Sequence, residues 1–267
     1  MKDYKIIDAH CHVYPQKIAQ KAVHATDLFY EMPCDSPYDG TTDTLLNIKK
    51  ESGISRFLIQ SVATTPHQVH SINTFIADEV AAHPDSFTGL GTLHPDSERI
   101  AEDVEELIAL GLHGVKLHPD IQKFAVDDEK CMPIYEYCRG RLPILMHTGD
   151  KRYDFSNPDR LLRVLRAFPD LTVIGAHLGG WSIWDEASRT LGGIDNLYVD
   201  TSSTIGFIGF EKAREYTRRF SADKLLFGTD YPMWRPQDEV RYLLNMDFTD
   251  VEYEKIFHEN AEKVFKL

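Results

Sequence analysis

The sequence has little of what defines several common protein classes. Its 267 residues include only four cysteines, Cys11, Cys34, Cys131 and Cys138, with no C-x-x-C pair, which argues against a disulfide scaffold. No apolar run approaches the roughly 18 residues that a bilayer-spanning helix needs. The opening stretch MKDYKIIDAHCHVYP has no long apolar core, so we expect no signal peptide. A reduced, cytoplasmic setting without a membrane partner is therefore the expectation.

Positive charge and phosphate-binding motifs are also scarce. Lysine and arginine number 29 against 42 aspartates and glutamates, which gives a net charge of −13. Such a surface repels phosphate backbones, so nucleic acid is not an expected partner. No G-x-G-x-x-G motif follows the first apolar run and no Walker sequence occurs. These absences disfavour an open nucleotide-binding sheet.

What the sequence does contain is an alternation of short apolar runs and longer amphipathic segments. Eight runs are apolar enough for parallel strands buried on both faces: 5–10, 56–62, 87–94, 114–118, 143–147, 172–177, 197–200 and 225–230. Between and after them the apolar spacing predicts helices over 43–52, 68–82, 99–110, 131–139, 158–168, 209–220, 237–245 and 250–266. Eight repeats in this length predict an α/β fold, one TIM (β/α)8 barrel domain over residues 1–267.

The interval between the first two predicted strands differs from the others. Residues 13–42 lack a clear period and contain Pro15, Pro33, Pro37 and Gly40. In a barrel this interval is the first βα loop, which lies on the catalytic face. Two interpretations remain open at this point, a lid that covers the substrate and a structural insertion.

Histidines gather at the ends of the predicted strands. Of twelve histidines, those that end strands are His10, His12, His94, His118, His147 and His177. Asp230 ends the eighth strand in the same way. The C-terminal strand ends of a TIM barrel form its active-site face, so this distribution predicts a functional site there.

The triplet His10-Cys11-His12 suits a cation site. Side chains alternate along a strand, so the two histidines share a face at a separation of about 6–7 Å and Cys11 points away into packing. His147 and His177 end the neighbouring fifth and sixth strands, and the eighth strand closes beside the first. Imidazole and carboxylate ligands around one mouth predict a divalent metal, zinc first, with manganese, iron or cobalt as alternatives.

These motifs together resemble the amidohydrolase superfamily. The features that carry the resemblance are DAHCH on the first strand, a histidine ending the fifth and sixth strands, and GTDYP at the eighth. More narrowly, the chain is similar to the amidohydrolase-related, metal-dependent hydrolase group that includes aminocarboxymuconate-semialdehyde decarboxylase. The resemblance covers essentially the whole chain, and it specifies the superfamily and not one reaction.

The resemblance implies a role for each strand-end residue. His10, His12, His147 and Asp230 match the metal ligands of the superfamily. Asp230 and His177 match the groups that handle the proton of the attacking water. In members with two metals, the histidine at the position of His177 is a ligand of the second metal.

Lys116 and His118 end the fourth predicted strand and share a face. In two-metal members a carboxylated lysine on this strand bridges the metals, so Lys116 is a candidate ligand of a second metal. Binding a substrate carboxylate as a point charge is the preferred role for Lys116, and a purely structural role stays open. His118 is a candidate substrate contact.

Three further candidates lie in predicted βα loops. Arg152 suits bidentate binding of a carboxylate, and Trp181 and Trp234 suit stacking on a flat substrate; packing is the alternative for each. Asp200 and Ser202 end the seventh strand, where they would hydrogen-bond substrate or cap the next helix.

The sequence favours hydrolysis, with water activated on a divalent cation to cleave an amide, ester or lactone bond of a small, acidic substrate. The chain is short beside the decarboxylase relatives, and its KLH ending on strand four departs from their pattern. Non-oxidative decarboxylation of an aromatic or unsaturated acid is the alternative, and a non-catalytic metal- or ligand-binding barrel is a remote one. The expected partner is a small molecule, and the resemblance adds a homodimer as a candidate assembly.

Overall fold

The described part of the chain contains nine short strand segments, and every pairing between them is parallel. The computed structural model describes residues 4–32 and 36–267; Pro33 and Cys34 lie outside these residues. The segments are β1 (Ile7–His12), β2 (Arg56–Gln60), β3 (Phe87–Gly89), β4 (Gly91–Thr92), β5 (Val115–Leu117), β6 (Ile144–Met146), β7 (Val173–Gly175), β8 (Leu197–Asp200) and β9 (Leu225–Leu226). The nine segments correspond to the eight predicted strands, because β3 and β4 both lie within the predicted strand 87–94.

Leu90 separates β3 from β4, and the pairing partner changes there. Strand β3 pairs with β2, whereas β4 pairs with β5. The Leu90 N–H donates to the Ile59 carbonyl oxygen at 2.9 Å, and the Gly91 N–H donates to Gly114 at 2.9 Å. The chain therefore connects two runs of strands, β1-β2-β3 and β4 to β9.

Backbone hydrogen bonds also join the last strand to the first. The Ala9 N–H donates to the Phe227 oxygen at 2.9 Å, and the Asp230 N–H donates to the His10 oxygen at 2.9 Å. With the helices that follow the strands, this arrangement is the predicted TIM (β/α)8 barrel, whose C-terminal strand ends meet at one mouth.

A bulge in β1 decides which way its histidines face. Ile7 and Ala9 pack with side chains inside the barrel, whereas Cys11 packs with the layer between strands and helices. Strict alternation would put all three on one face. The pairing register with β2 shifts between Asp8 and Cys11. This irregularity reverses the alternation and turns the H-x-H pair into the mouth.

The helices follow the predicted alternation, with differences at several boundaries. Their bounds are α1 (Ala19–Phe29), α2 (Thr42–Ser52), α3 (Val69–Ala82), α4 (Ile100–Ala109), α5 (Pro119–Gln122), α6 (Met132–Cys138), α7 (Pro158–Ala167), α8 (Trp184–Leu191), α9 (Ile205–Phe220), α10 (Pro236–Leu244), α11 (Asp250–Glu254) and α12 (Asn260–Phe265). Single 3-10 turns occupy Pro66–Gln68, Glu129–Cys131 and Ala222–Lys224. Across the described residues, no helix has the length and apolarity that a membrane crossing requires.

Several segments depart from the sequence prediction, which also lacked helices α5 and α8. The aperiodic 13–42 interval contains helix α1, whose inward residues Ala19, Val23 and Asp27 are spaced four apart. Helix α9 begins four residues earlier than predicted and is broken at Gly209, where φ is 75°. The predicted closing helix 250–266 is divided by a π-helical turn over Lys255–Glu259.

Two groups of buried apolar side chains stabilise the barrel. The larger one lies between strands and surrounding helices, and the smaller one fills the barrel interior. Ala261, Val264 and Phe265 of α12 join the interior group, and the Phe265 backbone oxygen is 2.8 Å from Nδ1 of His113. Helix α12 therefore closes the end of the barrel opposite the mouth.

We expect Phe265→Ala to lower the free energy of unfolding by about 3–5 kcal/mol. The ring is 1% exposed, and its removal leaves a cavity under the barrel core. Urea unfolding followed by circular dichroism measures the change. Leu267→Ala is the control, because that side chain is 41% exposed and its loss should stay within about 0.5 kcal/mol. Similar losses in both variants would contradict this packing role.

Candidate functional site

The strand ends converge on one cavity of about 500 Å³. Most of the residues predicted as site residues line it: His10, His12, Lys116, His118, His147, His177, Trp181, Asp230 and Trp234. They come from five strand ends and the loops after them. Their convergence follows from the parallel strands, whose carboxyl ends share one edge of the barrel.

His10, His12 and Asp230 form a group that suits a cation. Their candidate ligand atoms all lie within 4.8 Å of one another. The Nε2 atoms of the two histidines are 3.2 Å apart, and Oδ1 of Asp230 is 3.3 Å from Nε2 of His10. Burial lowers the pKa of His12 well below its usual value, so the ring is neutral with a lone pair to offer. Two imidazoles and a carboxylate are a donor set for zinc, manganese or iron.

The conformation and charge of Asp230 suit this role. Its φ of 60° lies in the left-handed region, which is uncommon for a residue other than glycine. Ser203 Oγ donates to Oδ2 at 2.6 Å and leaves Oδ1 toward the histidines. Burial by itself would raise the pKa of this carboxyl, but His10, His177 and His12 beside it bring the pKa to about 2. Asp230 is therefore ionised at neutral pH.

Asp200 orients His10. Its Oδ2 is 2.9 Å from Nδ1 of His10, and both side chains are fully buried. The carboxylate accepts this N–H, so the proton of His10 stays on Nδ1 and the Nε2 lone pair faces Asp230. A carboxylate behind a histidine commonly supports metal ligands in this way. The sequence had marked Asp200 only as a cap or a substrate contact.

His177 lies beside His10, and its ring is held by a hydrogen bond to the loop that follows β8. Its Nδ1 is 3.1 Å from the Ser202 carbonyl oxygen, which accepts its proton. The ring is stacked on that of His10 with centroids 5.3 Å apart. Burial lowers the pKa of His177. Its Nε2 is 3.2 Å from Nδ1 of His147.

His147 falls outside the first group and belongs to a second one, with His118 and Asp120. The His147 and His118 rings are stacked 4.1 Å apart at an interplanar angle of 5°. Nε2 of His147 is buried without a hydrogen-bond partner, 3.4 Å from Oδ2 of Asp120. The metal-ligand role of His147 stays a prediction.

The second group is less suited to a cation, because both nitrogens of His118 are occupied. Nδ1 accepts the backbone N–H of Ile121 at 3.3 Å, so a neutral ring carries its proton on Nε2. That nitrogen is 2.7 Å from the hydroxyl of Tyr30. His118 thus has no free lone pair and acts as a hydrogen-bonding residue in the cavity wall.

Lys116 is buried beside the first group, with Nζ 3.0 Å from Nε2 of His10. Burial lowers the pKa of this amine to about 8. The lysine uses the same His10 lone pair that a cation would use, so the two compete for one nitrogen.

Aromatic side chains form much of the remaining wall, including Phe29, Tyr30, Phe75, Trp181 and Trp234. The Trp181 ring meets that of His177 edge-on at 5.8 Å. Trp234 is fixed by a hydrogen bond from Nε1 to Ser203 Oγ at 2.7 Å. The wall therefore suits a flat, mainly apolar molecule.

Arg152 does not line the cavity. Its guanidinium is paired with the buried carboxylate of Asp150, with Nη2 2.7 Å from Oδ2, and it donates through Nη1 to the Phe29 carbonyl oxygen at 2.6 Å. The prediction that Arg152 binds substrate directly does not fit this position. His94 is also outside the wall, where its Nδ1 accepts the Asp96 N–H at 3.2 Å.

The sequence did not identify several residues of the site, among them Tyr30 and Asp120. Tyr30 lies in the aperiodic 13–42 interval, where no strand or periodic helix signalled its position. Asp120 follows His118 in a His-Pro-Asp triplet, which by itself indicates only a turn. That triplet was the one available signal for Asp120, and nothing in the sequence indicated the partner of Tyr30.

Solved structures share the fold over nearly the full chain. An uncharacterized TIM-barrel protein from Bordetella bronchiseptica has 23% identity and a TM-score of 0.81, with 98% of each chain covered. The 5-carboxyvanillate decarboxylase from Sphingomonas paucimobilis has 17% identity and a TM-score of 0.77, covering 98% of this chain and 99% of its own. A dihydroxybenzoic acid decarboxylase from Polaromonas, with bound manganese and 2-nitroresorcinol, has 17% identity and a TM-score of 0.76, covering 99% and 97%.

Sequence comparison assigns the family. Among curated proteins, no sequence matches the chain. The family model described as Amidohydrolase matches residues 7–267, which include all the strands and the whole candidate site. The chain therefore belongs to the amidohydrolase family.

Proposed function

We propose that the protein is a metal-dependent decarboxylase of a small aromatic or unsaturated carboxylic acid. The observation that carries the proposal is the His10–His12–Asp230 group at the base of an aromatic-walled cavity. Two of the similar structures are decarboxylases by name, and one of them holds manganese. The sequence favoured hydrolysis, with decarboxylation as the alternative; the proposal now puts decarboxylation first.

The donor set supports one divalent cation. His10, His12 and Asp230 would hold it. His147 is proposed as a further ligand because it ends a neighbouring strand; its buried Nε2 has no hydrogen-bond partner but lies 3.4 Å from Asp120, so the ring would have to turn toward the first group. A cation bound there supplies Lewis acidity toward oxygen atoms of the substrate. Zinc is the sequence expectation, and the manganese of the Polaromonas relative makes manganese the second ion to test.

The chain's own groups have separate tasks in this proposal. Nε2 of His10 can serve one partner, so its use as a ligand releases the amine of Lys116 to bind a substrate carboxylate as a point charge. Loss of carbon dioxide leaves a carbon atom that must gain one proton. We assign the relay of that proton, which comes from solvent, to Asp230 and His177. Trp181 and Trp234 pack against the substrate, and the wall excludes water.

Hydrolysis is the second candidate, and the position of Lys116 favours it. A buried amine whose pKa is lowered to about 8 has a larger neutral fraction near neutral pH than an exposed lysine, whose pKa is roughly 10.4, and the neutral amine can be carboxylated. In that form Lys116 and His177 would hold a second cation beside the first, as in two-metal hydrolases of the superfamily. The metal count per chain therefore separates one-metal decarboxylation from this two-metal form of hydrolysis.

The direct test is product analysis on protein loaded with manganese or zinc. Carbon dioxide release is measured with 2,6-dihydroxybenzoate, 5-carboxyvanillate and unsaturated acids, and hydrolysis with esters, lactones and cyclic amides. We expect carbon dioxide, about one metal per chain, and a loss of about 10²–10⁴ in rate in His177→Asn with the metal retained. Hydrolysis with about two metals per chain would refute decarboxylation and support the second candidate. Binding without either reaction would support a non-catalytic barrel.

Asp200→Asn should weaken metal binding about 10- to 100-fold. The amide cannot accept the Nδ1–H of His10 as strongly as the carboxylate, so the ring loses its fixed orientation. Titration with manganese followed by calorimetry gives the affinity. Asp96→Asn is the control, because Asp96 is exposed and pairs only with the turn residues around it. An unchanged affinity in Asp200→Asn would show that Asp200 does not support the ligand.

Lys116→Ala should raise KM about 10- to 100-fold, as expected for removal of a charged hydrogen bond, and leave about one metal per chain. Steady-state kinetics and elemental analysis of the same sample measure both quantities. Lys151→Ala removes an exposed lysine of a neighbouring loop and should change neither. A fall from about two metals to one in Lys116→Ala would instead identify the lysine as a bridging ligand.

A further inference from the structure

Tyr30 follows helix α1 directly and brings a hydroxyl into the site from the first βα loop. Its oxygen lies 2.7 Å from Nε2 of His118 and 3.3 Å from Nδ1 of His147. Its ring meets Trp181 edge-on at 5.9 Å. Tyr30 therefore contacts residues that follow three different strands.

The hydrogen bonds around Tyr30 leave its proton available to a ligand. Nε2 of His118 carries the proton of that ring, because Nδ1 accepts from Ile121, and so it donates to the Tyr30 oxygen. The Tyr30 proton must then point elsewhere. The nitrogen within reach is Nδ1 of His147, 3.3 Å away. The proton of His177 is on its Nδ1, which bonds to the Ser202 oxygen, so Nε2 of His177 accepts, and Nδ1 of His147 donates to it at 3.2 Å. Nδ1 of His147 then has no lone pair for the Tyr30 proton. An oxygen of a bound molecule would complete the bonding of the Tyr30 hydroxyl.

Arg152 holds the end of α1 in the position that places Tyr30. Its Nη1 donates to the Phe29 carbonyl oxygen, one of the oxygens that a helix leaves without an internal partner. The guanidinium also lies over the rings of Phe29 and Tyr30, at 5.1 and 5.4 Å from their centroids. Asp150, 1% exposed, binds Nε at 3.0 Å and Nη2 at 2.7 Å and fixes the guanidinium plane.

Tyr30 lies at the far end of a row of imidazoles that starts at the metal group. Adjacent ring centroids are 5.3 Å apart from His10 to His177 and 5.0 Å from His177 to His147. A substrate whose reacting carboxylate is at His10 and Asp230 would present its other end toward Tyr30. The hydroxyl at that end recognises a second oxygen on the same molecule.

We propose that Tyr30 is a substrate-contacting residue that donates a hydrogen bond to a second oxygen of the substrate, and that Arg152 is the residue that positions it. The substrate class is then a small acid with a hydroxyl or carbonyl oxygen apart from its reacting group. The inference rests on the proposed function only in taking this cavity as the substrate site.

Binding of two probes to the manganese-loaded full chain tests the proposal by calorimetry. The probes are 2,6-dihydroxybenzoate and benzoate, which differ by the two hydroxyl groups. Tyr30→Phe should weaken 2,6-dihydroxybenzoate about tenfold, the loss of one hydrogen bond, and leave benzoate unchanged. Arg152→Lys should show the same selective loss, because lysine lacks the planar fork. The double variant should lose no more than Tyr30→Phe alone.

Tyr153→Phe is the matched control. Tyr153 stacks on Phe29 at 5.6 Å in the same loop as Arg152, its side chain is outside the cavity wall, and its hydroxyl has no hydrogen bond among the described residues. It should bind both probes as the unaltered protein does. The proposal would be overturned if Tyr30→Phe lost affinity equally for both probes or lost none. It would also be overturned if the unaltered protein bound both probes with the same affinity. The predicted binding pattern without carbon dioxide release would support it while refuting decarboxylation.

Discussion

The hydrogen bonds of the Asp200 carboxylate are the interaction on which the arrangement of the site depends. The carboxylate accepts Nδ1–H of His10 at 2.9 Å and the backbone N–H of His177 at 3.1 Å, and Ser202 Oγ also donates to it. These bonds tie together residues of three strands. A buried carboxylate without such partners would be costly, so its environment enforces the histidine orientation that leaves Nε2 of His10 toward Asp230.

The orientation of His10 matters because the same few donors suit more than one reaction. Two imidazoles and a carboxylate can hold one cation, and the buried amine of Lys116 can either bind a carboxylate or bridge to a second cation. The proposed decarboxylation takes the first use, and the aromatic wall suits the flat acid that this reaction requires. The partner that Lys116 binds therefore distinguishes the proposed one-metal site from a two-metal site.

The first βα loop contributes to the site through α1. The Asp150–Arg152 pair holds the end of α1, and Tyr30, the next residue, reaches the stacked rings of His118 and His147. The sequence allowed two interpretations of this loop, a lid over the substrate and a structural insertion. The structure shows an ordered helix whose end is part of the cavity wall, which gives Arg152 a supporting position where direct substrate contact was predicted.

The sequence by itself determined the alternation of strands and helices, the barrel, and the residues that end its strands, because these follow from local periodicity and from the shared polarity of parallel strands. Tertiary structure decided the rest. The bulge that turns His10 and His12 inward depends on pairing with β2, and the contact between Tyr30 and His118 joins positions 88 apart in the chain. Such contacts depend on how distant segments pack, and no local period of the sequence encodes that packing.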